Sequence, residues 1–271
     1  MRIITDSASD ITLEQLEKYN IDMIPLTITV GEQILLDDKK KDMIEFWNLM
    51  EKEHLKTSQP TPASFLDLFE EIKKNGEEAI CVCVSSALSG TYSTAVMAKE
   101  MVEYDKIHIV DSRTATIGQG FIVRYACQLR DQGVSFEEAI VKIEEFKYRV
   151  KILACIDTLE YLARGGRMPA SISSFGDFLK LKPVITVNNK GVIELIKMKR
   201  GKKKAIQEIL DLYKNSSIDT NFPIVPIFSK DDANMQDLIA GLDGLDASEQ
   251  VGCAIGCHTG PNIYGLVFVT K

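Results

Sequence analysis

ICVCVSSALSGTYSTA, residues Ile80 to Ala95, is the stretch on which the fold turns. Its first five residues, Ile80-Cys-Val-Cys-Val84, are a continuous apolar run rich in β-branched side chains. Such a run predicts a strand buried on both faces, as in a parallel sheet. Ser85, Ser86, Ser89, Gly90, Thr91, Tyr92, Ser93 and Thr94 come next, and Ala95-Val-Met-Ala-Lys-Glu100 reads as the start of a helix. Hydroxyls and a glycine therefore sit where a parallel strand gives way to a helix. Free backbone N–H groups and the positive end of the helix dipole converge at such a junction and favour an anion. Open α/β sheets also place ligands beyond the carboxyl ends of their strands. The same serines suit plain helix capping, so two readings stand side by side here.

Outward from this stretch, the first half alternates strand and helix. Arg2–Thr5 reads as a strand that runs into Asp6-Ser-Ala-Ser-Asp10 and a helix over Leu13–Tyr19. Ile24–Val30 reads as one strand closed by a Gly31-Glu32 turn, and Met43–Lys52 as an amphipathic helix that buries Trp47, the only tryptophan. Pro60 and Pro62 fix Lys56–Pro62 as an extended, hydroxyl-rich loop before a helix over Ser64–Lys74 that ends at Gly76. Lys106–Val110 is the next strand, with His108 read as a core or face residue. A polar loop through Gly120 then leads to a helix over Phe121–Gln132. Ser135-Phe-Glu-Glu138 reads as a capping box opening a helix to about Arg149. Residues 1–150 are thus expected to form an α/β domain with a parallel sheet.

Residues 151–271 read differently, as an α+β domain. Lys151–Asp157 is a strand, Leu159–Ala163 a short helix, and Asn188-Asn-Lys-Gly191 a turn joining the strands Pro183–Val187 and Val192–Ile196. Phe178–Lys182 leads into the first of these. A helix starts in the basic run Lys199–Lys204 and reaches Tyr213. Phe222–Phe228 is a strand with prolines placed as on an edge, Asn234–Leu242 a helix, and Tyr264–Val269 the last strand.

The composition narrows the function classes. The chain has 271 residues, 45% hydrophobic and 26% charged, with a net charge of −7. That is enough for two cores, and the acidic balance argues against a nucleic-acid binder. No apolar run approaches the roughly 18 residues that span a bilayer. A strand beginning at Arg2 leaves no signal peptide, so the expected location is cytoplasmic. Cys81 and Cys83 alternate with apolar residues like small core side chains. Cys253, Cys257 and His258 invite a zinc reading, but no second Cys/His pair lies nearby, and core thiols are the better reading. Gly118-Gln-Gly120 lacks the third glycine of a dinucleotide loop, no GK[ST] occurs at a strand end, and Ser89 is not in a G-x-S-x-G elbow.

Two further features carry chemistry. Arg164-Gly-Gly-Arg167 sets two guanidiniums around a glycine pair, suited to forked contact with carboxylate or phosphate or to a C-cap with solvated arginines. His258-Thr-Gly-Pro261 places the only histidine of the second half in what reads as a Gly-flanked loop.

Taken together these motifs resemble the DegV family. The resemblance is carried by Thr5–Asp10, Thr57-Ser-Gln-Pro-Thr61, Ser85–Tyr92, Val110-Asp-Ser-Arg113 with Gly118 and Gly120, Leu159–Leu162 with Gly165-Gly-Arg167, Lys182-Pro183, Arg200-Gly201 and Gly256–Pro261. Each is short, but they keep their order over the whole chain. The resemblance implies a two-domain carrier that holds one long-chain fatty acid in a tunnel between its domains, with no cofactor, no metal and no chemistry of its own. It implies a partner, a dihydroxyacetone-kinase-like fatty acid kinase subunit that phosphorylates the bound carboxylate. The acyl phosphate then passes to an acyltransferase of phospholipid synthesis, with transient contact at a membrane surface. Carried onto this chain, Thr61 and Ser89, with Ser58 and Gly90, bind the carboxylate. Arg167 and His258 line the head-group mouth and serve phosphoryl transfer or kinase docking. The chain departs from the family pattern at Asn262, where glycine is usual, and Tyr264 is bulky; either would reshape the mouth. The rival from another class is a free-standing hydrolase or phosphotransferase using Ser89 or His258.

Overall fold

The computed structural model describes residues 1–40, 42–172, 181–242, 245 and 247–271, so Phe178–Lys180 lie outside the described residues. The first half contains strand β1 (Arg2–Asp6), helix α1 (Leu13–Tyr19), strands β2 (Ile21–Ile24), β3 (Thr27–Val30) and β4 (Gln33–Leu36), then helix α2 (Met43–Met50). Strand β5 (Leu55–Ser58), helix α3 (Pro62–Asn75), strand β6 (Ala79–Cys83), helix α4 (Thr91–Val102) and strand β7 (Ile107–Asp111) follow, ahead of helices α5 (Thr116–Asp131) and α6 (Phe136–Phe146).

Four of these strands form a parallel sheet in the order β2-β1-β6-β7. Strand β6 is completely buried, as its apolar run requires. Its side chains alternate between two cores. Ile80 and Val82 face α5, while Ala79, Cys81 and Cys83 face Phe65 and Phe69 of α3 and Ala95 and Ala98 of α4. The chain turns in opposite directions from β1 and β6, so their carboxyl ends open a crevice at the switch point of the sheet.

A second, three-stranded antiparallel sheet, β4-β3-β5, was not legible as such. Pro25 and Leu26 break the expected strand Ile24–Val30 into β2 and β3, which join different sheets. The stretch Lys56–Pro62, read as a loop, begins inside β5, where Thr57 pairs with Ile28. Trp47 and Phe46 of α2 cover this sheet and share a core with its Ile28, Val30 and Leu55.

The second half contains strand β8 (Val150–Cys155), helix α7 (Glu160–Arg164), the hairpin β9 (Leu181–Val187) and β10 (Ile193–Arg200), and helix α8 (Lys202–Lys214). Strand β11 (Val225–Phe228), helix α9 (Ala233–Ile239), the short strand β12 (Glu249–Gln250), helix α10 (Cys253–Thr259) and strand β13 (Tyr264–Val269) complete it. Its sheet runs β10-β9-β8-β13-β11-β12 and is antiparallel except at β11/β12. Strand β11 is flanked on both sides, not an edge as its prolines implied; β12 reaches only Ile227 and Phe228, which leaves Pro226 no ladder bond to donate on that side. One face of this sheet packs on α8 and α9 through Leu153, Val184 and Leu266. The other packs through Ile152, Val225 and Val267 on α5, which is buried over most of its surface between the two sheets.

Helix α5 starts at Thr116, five residues before the expected Phe121, so Gly118 and Gly120 are helical. Their role is close packing. A Cβ at Gly118 would stand 2.8 Å from Ile152 Cδ1, and one at Gly120 2.8 Å from the Ser9 carbonyl oxygen. Ser135 caps α6 by accepting from the Glu138 N–H. All six cysteines are buried and none forms a disulfide. Among the described residues, no helix is long and apolar enough to cross a membrane.

Gly256 of α10 tests the packing that seats this helix. A Cβ there would stand 2.7 Å from Trp47 Cη2 and 3.0 Å from Phe46 Cε1, two fully buried rings. Overpacking of this kind costs ~1–3 kcal/mol, and the helix propensity gained by alanine offsets at most about 1 kcal/mol. Gly256→Ala should therefore lower stability by ~1–2 kcal/mol in denaturant unfolding. An unchanged midpoint would mean that the aromatic pair gives way freely.

Candidate functional site

The carboxyl ends of β1 and β6, the start of α5, strands β8 and β9, and helix α10 enclose a cavity with about 830 Å³ of atom-free space. Strands β8 and β9 pair only at Ala154↔Ile185 and Cys155↔Val184. Beyond these pairs the strands part, and Ile152, Val187 and Ile193 face the gap. The hairpin tip is instead fastened across to the first half. Ser85 Oγ donates to the Gly191 carbonyl at 2.8 Å, and Arg113 Nη1 donates to the Lys190 carbonyl at 3.2 Å. Most of the cavity wall is aliphatic; among the polar residues on it are Thr57, Ser89, Arg167 and His258.

These four residues form a cluster. Strand β5 alternates, so Thr57 turns inward and Ser58 outward. Helix α10 packs on β5 and α2, which brings His258 Nε2 to 2.7 Å from Thr57 Oγ1. His258 lies in the last turn of this helix, not in a loop as its glycine neighbours implied. Gly165 packs directly against the imidazole, where a Cβ would collide with the ring. Arg167 Nε donates to the Leu88 carbonyl at 2.9 Å, and Nη1 donates to the Gly165 carbonyl. The guanidinium thus stands beside Ser89 and His258, and among the described residues it pairs with no carboxylate. Ser89 Oγ lies 2.9 Å from Thr91 Oγ1.

Electrostatics mark the cluster as incomplete. His258 Nδ1 is buried and has no hydrogen-bond partner among the described residues. Burial pushes the imidazole down from 6.5 to about 4, and the Arg167 charge adds to the effect. The ring is therefore neutral at pH 7, and whichever nitrogen faces Thr57, the other is left unsatisfied. An anion placed here would gain an unpaired guanidinium and hydroxyl donors.

The other expected site residues sit elsewhere. Thr61 is exposed at the N-terminus of α3, with its Oγ1 3.1 Å from Ser64 Oγ, and Ser58 is exposed; neither lines the cavity. Gly90 is the N-cap of α4 but lies behind the wall. The Gln59 side chain fills the space its Cβ would take and donates to Thr94 Oγ1 at 2.9 Å. Of the serines after β6, Ser85 holds the hairpin, and Ser86 Oγ donates to Asp111 Oδ2 at 2.5 Å. The N-cap Gly90 makes no side-chain cap bond, but Ser89 Oγ accepts from the Thr91 N–H at the start of α4 at 3.4 Å. Thr57, which does line the cavity, was not among the expected site residues; once β5 is known to be a strand, its inward parity singles it out. Tyr264 is buried in the core under α8 and α9, so its bulk does not shape the mouth, and Asn262 reaches Asp157 at 3.5 Å. Cys253 and Cys257 pack toward α2 while His258 faces the cavity. Among the described residues, no three His, Cys, Asp or Glu side chains are grouped to hold a metal ion.

Residues 1–271 match the DegV family of uncharacterised proteins along their whole length. The chain belongs to the DegV family. A DegV domain-containing protein of Caldanaerobacter subterraneus is 35% identical over 281 residues, covering 99% of this chain and 98% of its own. One from Clostridium acetobutylicum is 32% identical over 277 residues, covering 100% and 99%. Among solved structures, a stearic-acid-binding protein of Eubacterium ventriosum superposes with a TM-score of 0.89 at 27% identity, over 100% of this chain and 99% of that one. DegV of Bacillus subtilis, described as a fatty acid binding protein, gives 0.86 at 30% identity, over 100% and 99%. A DegV family protein of Thermus thermophilus, described by its fatty acid binding, gives 0.87 at 28% identity, over 100% of both chains. The parallel-sheet half and the second sheet of this chain are thus the DegV fold.

The His258 environment sets a pH signature. The unfolded chain takes up this proton near pH 6.5 and the folded protein only near 4, so stability from this group is full above pH 6.5 and falls as pH drops toward 4. In lipid-free protein the His258 ring resonances should titrate with a midpoint near 4, and a bound carboxylate should raise it. A lipid-free midpoint near 6.5 would contradict the burial described.

Proposed function

We propose that this DegV protein is a carrier that binds one long-chain fatty acid in the cavity between an α/β domain, residues 1–150, and an α+β domain, residues 151–271. The carboxylate sits at the polar cluster and the tail lies along the aliphatic wall. One observation carries this reading: a largely aliphatic cavity holds, side by side, a guanidinium that pairs with no carboxylate and a buried imidazole with one unsatisfied nitrogen, among the described residues. Relatives of the same fold bind stearic and other fatty acids.

Ser89 and Thr57 serve as carboxylate donors in this reading. Thr57 takes the place first given to Thr61 and Ser58, because alternation along β5 turns Thr57 inward. Arg167 and His258 hold the head group where a separate kinase subunit reaches it. The protein does no chemistry itself; the dihydroxyacetone-kinase-like subunit forms the acyl phosphate, which an acyltransferase of phospholipid synthesis consumes. A free-standing hydrolase fits less well. The Ser89 hydroxyl meets Thr91 and the His258 ring meets Thr57, so no Ser–His pair forms among the described residues.

Magnitudes separate tail from head. Burying a methylene contributes about 0.8 kcal/mol, so a sixteen-carbon acid gains up to roughly 12 kcal/mol before association costs. A hydrogen bond to a carboxylate contributes about 1.5–3 kcal/mol. Native mass spectrometry and organic extraction of the purified protein should show one bound fatty acid; protein that is ligand-free after expression in a lipid-rich cell would sink the carrier reading. In titrations, Ser89→Ala should weaken binding about tenfold to a hundredfold, and shortening the acid from sixteen to eight carbons should weaken it more. Equal affinity for the two acids would mean that the tail is not buried. Arg167→Ala should weaken lipid binding no more than Ser89→Ala does, because the tail dominates, yet yield no acyl phosphate with a cognate kinase, because the guanidinium neutralises charge that develops in transfer. Equal loss of binding and transfer would refute that division of roles.

A further inference from the structure

Among the described residues, Asp10, Asn20, Lys39, Glu103, Arg113 and Thr116 are the non-glycine residues with left-handed backbone. Asn20 and Glu103 terminate α1 and α4, where this conformation is ordinary. Asp10, with φ of 53°, likewise closes the 3-10 turn Ser7–Ser9, but it is joined through its side chain to Lys39 and Thr116, with φ of 63° and 51°, which end no helix. Thr116 Oγ1 donates to Asp10 Oδ2 at 2.6 Å, and Lys39 Nζ donates to Asp10 Oδ1 at 3.1 Å. The Asp10 side chain is 1% exposed and that of Lys39 11%. Lys39 is braced further by Asp37, whose Oδ2 lies 3.5 Å from its ammonium.

Thr116 is the most unusual of the three. A β-branched side chain at positive φ crowds its own backbone, and such a residue persists only where its surroundings over-determine it. Thr116 is also the first residue of α5, and with Ala115 it lines the lipid cavity. Relaxing it to the right-handed region would swing the peptide on one side of it and carry Ala115 along. The partner that prevents this is visible: a buried carboxylate, itself fixed by a partly buried ammonium, takes the Thr116 hydroxyl.

We propose that Asp10, clamped by Lys39, is a positioning residue that holds Thr116 left-handed and so fixes the start of α5 in the shape that admits the acyl chain. The inference rests on the fatty-acid reading above. It predicts an order of variants that simple packing reverses. Thr116→Val keeps the volume and the branching but loses the hydroxyl, so the backbone relaxes. Thr116→Gly loses the side chain but takes positive φ without strain. If Thr116 only filled space, valine would bind fatty acid better than glycine.

The experiment measures palmitate affinity by displacement of a fluorescent fatty acid from wild type, Thr116→Val, Thr116→Gly, Asp10→Asn and the control Glu103→Gly, with amide hydrogen exchange on each. Thr116→Val and Asp10→Asn should bind about tenfold more weakly than wild type, and Thr116→Gly several-fold more tightly than Thr116→Val. Exchange should rise over residues 116–119 in Thr116→Val, and Glu103→Gly should bind as wild type does. Native-like exchange elsewhere separates a local effect from misfolding, and global loss of protection in Thr116→Val leaves Asp10→Asn against wild type to decide. Valine binding as well as glycine or better, or Asp10→Asn binding like wild type, overturns the positioning role alone. A wild type that binds no fatty acid overturns the carrier reading and this inference with it.

Discussion

Asp6 is completely buried, and its carboxylate ties together the two strand ends from which the cavity opens. Oδ2 accepts from the Val84 N–H at 2.7 Å, and Oδ1 accepts from the Ala8 N–H at 2.9 Å. Val84 continues from β6 and Ala8 follows β1, so one side chain sets the separation of the two loops at the switch point of the parallel sheet. Burial pushes this carboxyl up to about 6, against the backbone donors that favour its charge. The Val84 N–H, the Gln119 side chain and the Ala8 N–H all favour its charged form against that burial. Ala8 and Val84 both line the cavity, so the wall inherits its spacing from this bond pair.

The remaining walls follow from how α5 is held. The helix lies between the two sheets, and its glycines bring it close to β8 and to the loop after β1. Strand β9 then leaves β8 after two paired positions, and the cavity occupies the widening gap. The small sheet β4-β3-β5 has a different task. It presents Thr57 from one side while α10, seated on Trp47 and Phe46, presents His258 from another.

The parallel sheet was legible because a strand buried on both faces must be apolar at every position, as Ile80–Val84 is. The hairpin at Asn188–Gly191 was legible from turn chemistry. The sheet β4-β3-β5 was not: its strands are four residues long and mix Thr, Lys, Gln and Ser with apolar residues, and pairing across α2 leaves no local mark. Helix α5 was read as starting late because Gly118 and Gly120 argue against helix locally, while contacts with Ile152 and Ser9 require them. In the site, Ser89, Arg167 and His258 stood out as polar residues in glycine-rich settings. Thr57 did not, because its distinction from Ser58 and Thr61 is one of parity along a strand that had been read as a loop. The cavity itself left no trace, since isoleucine and valine line a tunnel as readily as they fill a core.

Arg167 hangs from the Leu88 carbonyl, and the cavity wall draws residues from Ala8 to Ile263. The cavity is therefore a property of the fit between the two halves of the chain rather than of either half. Substitutions that reset how the halves meet would change the shape of the cavity without touching the polar cluster. Recombination between diverged relatives near residue 150 would join two sound halves around a cavity of the wrong shape.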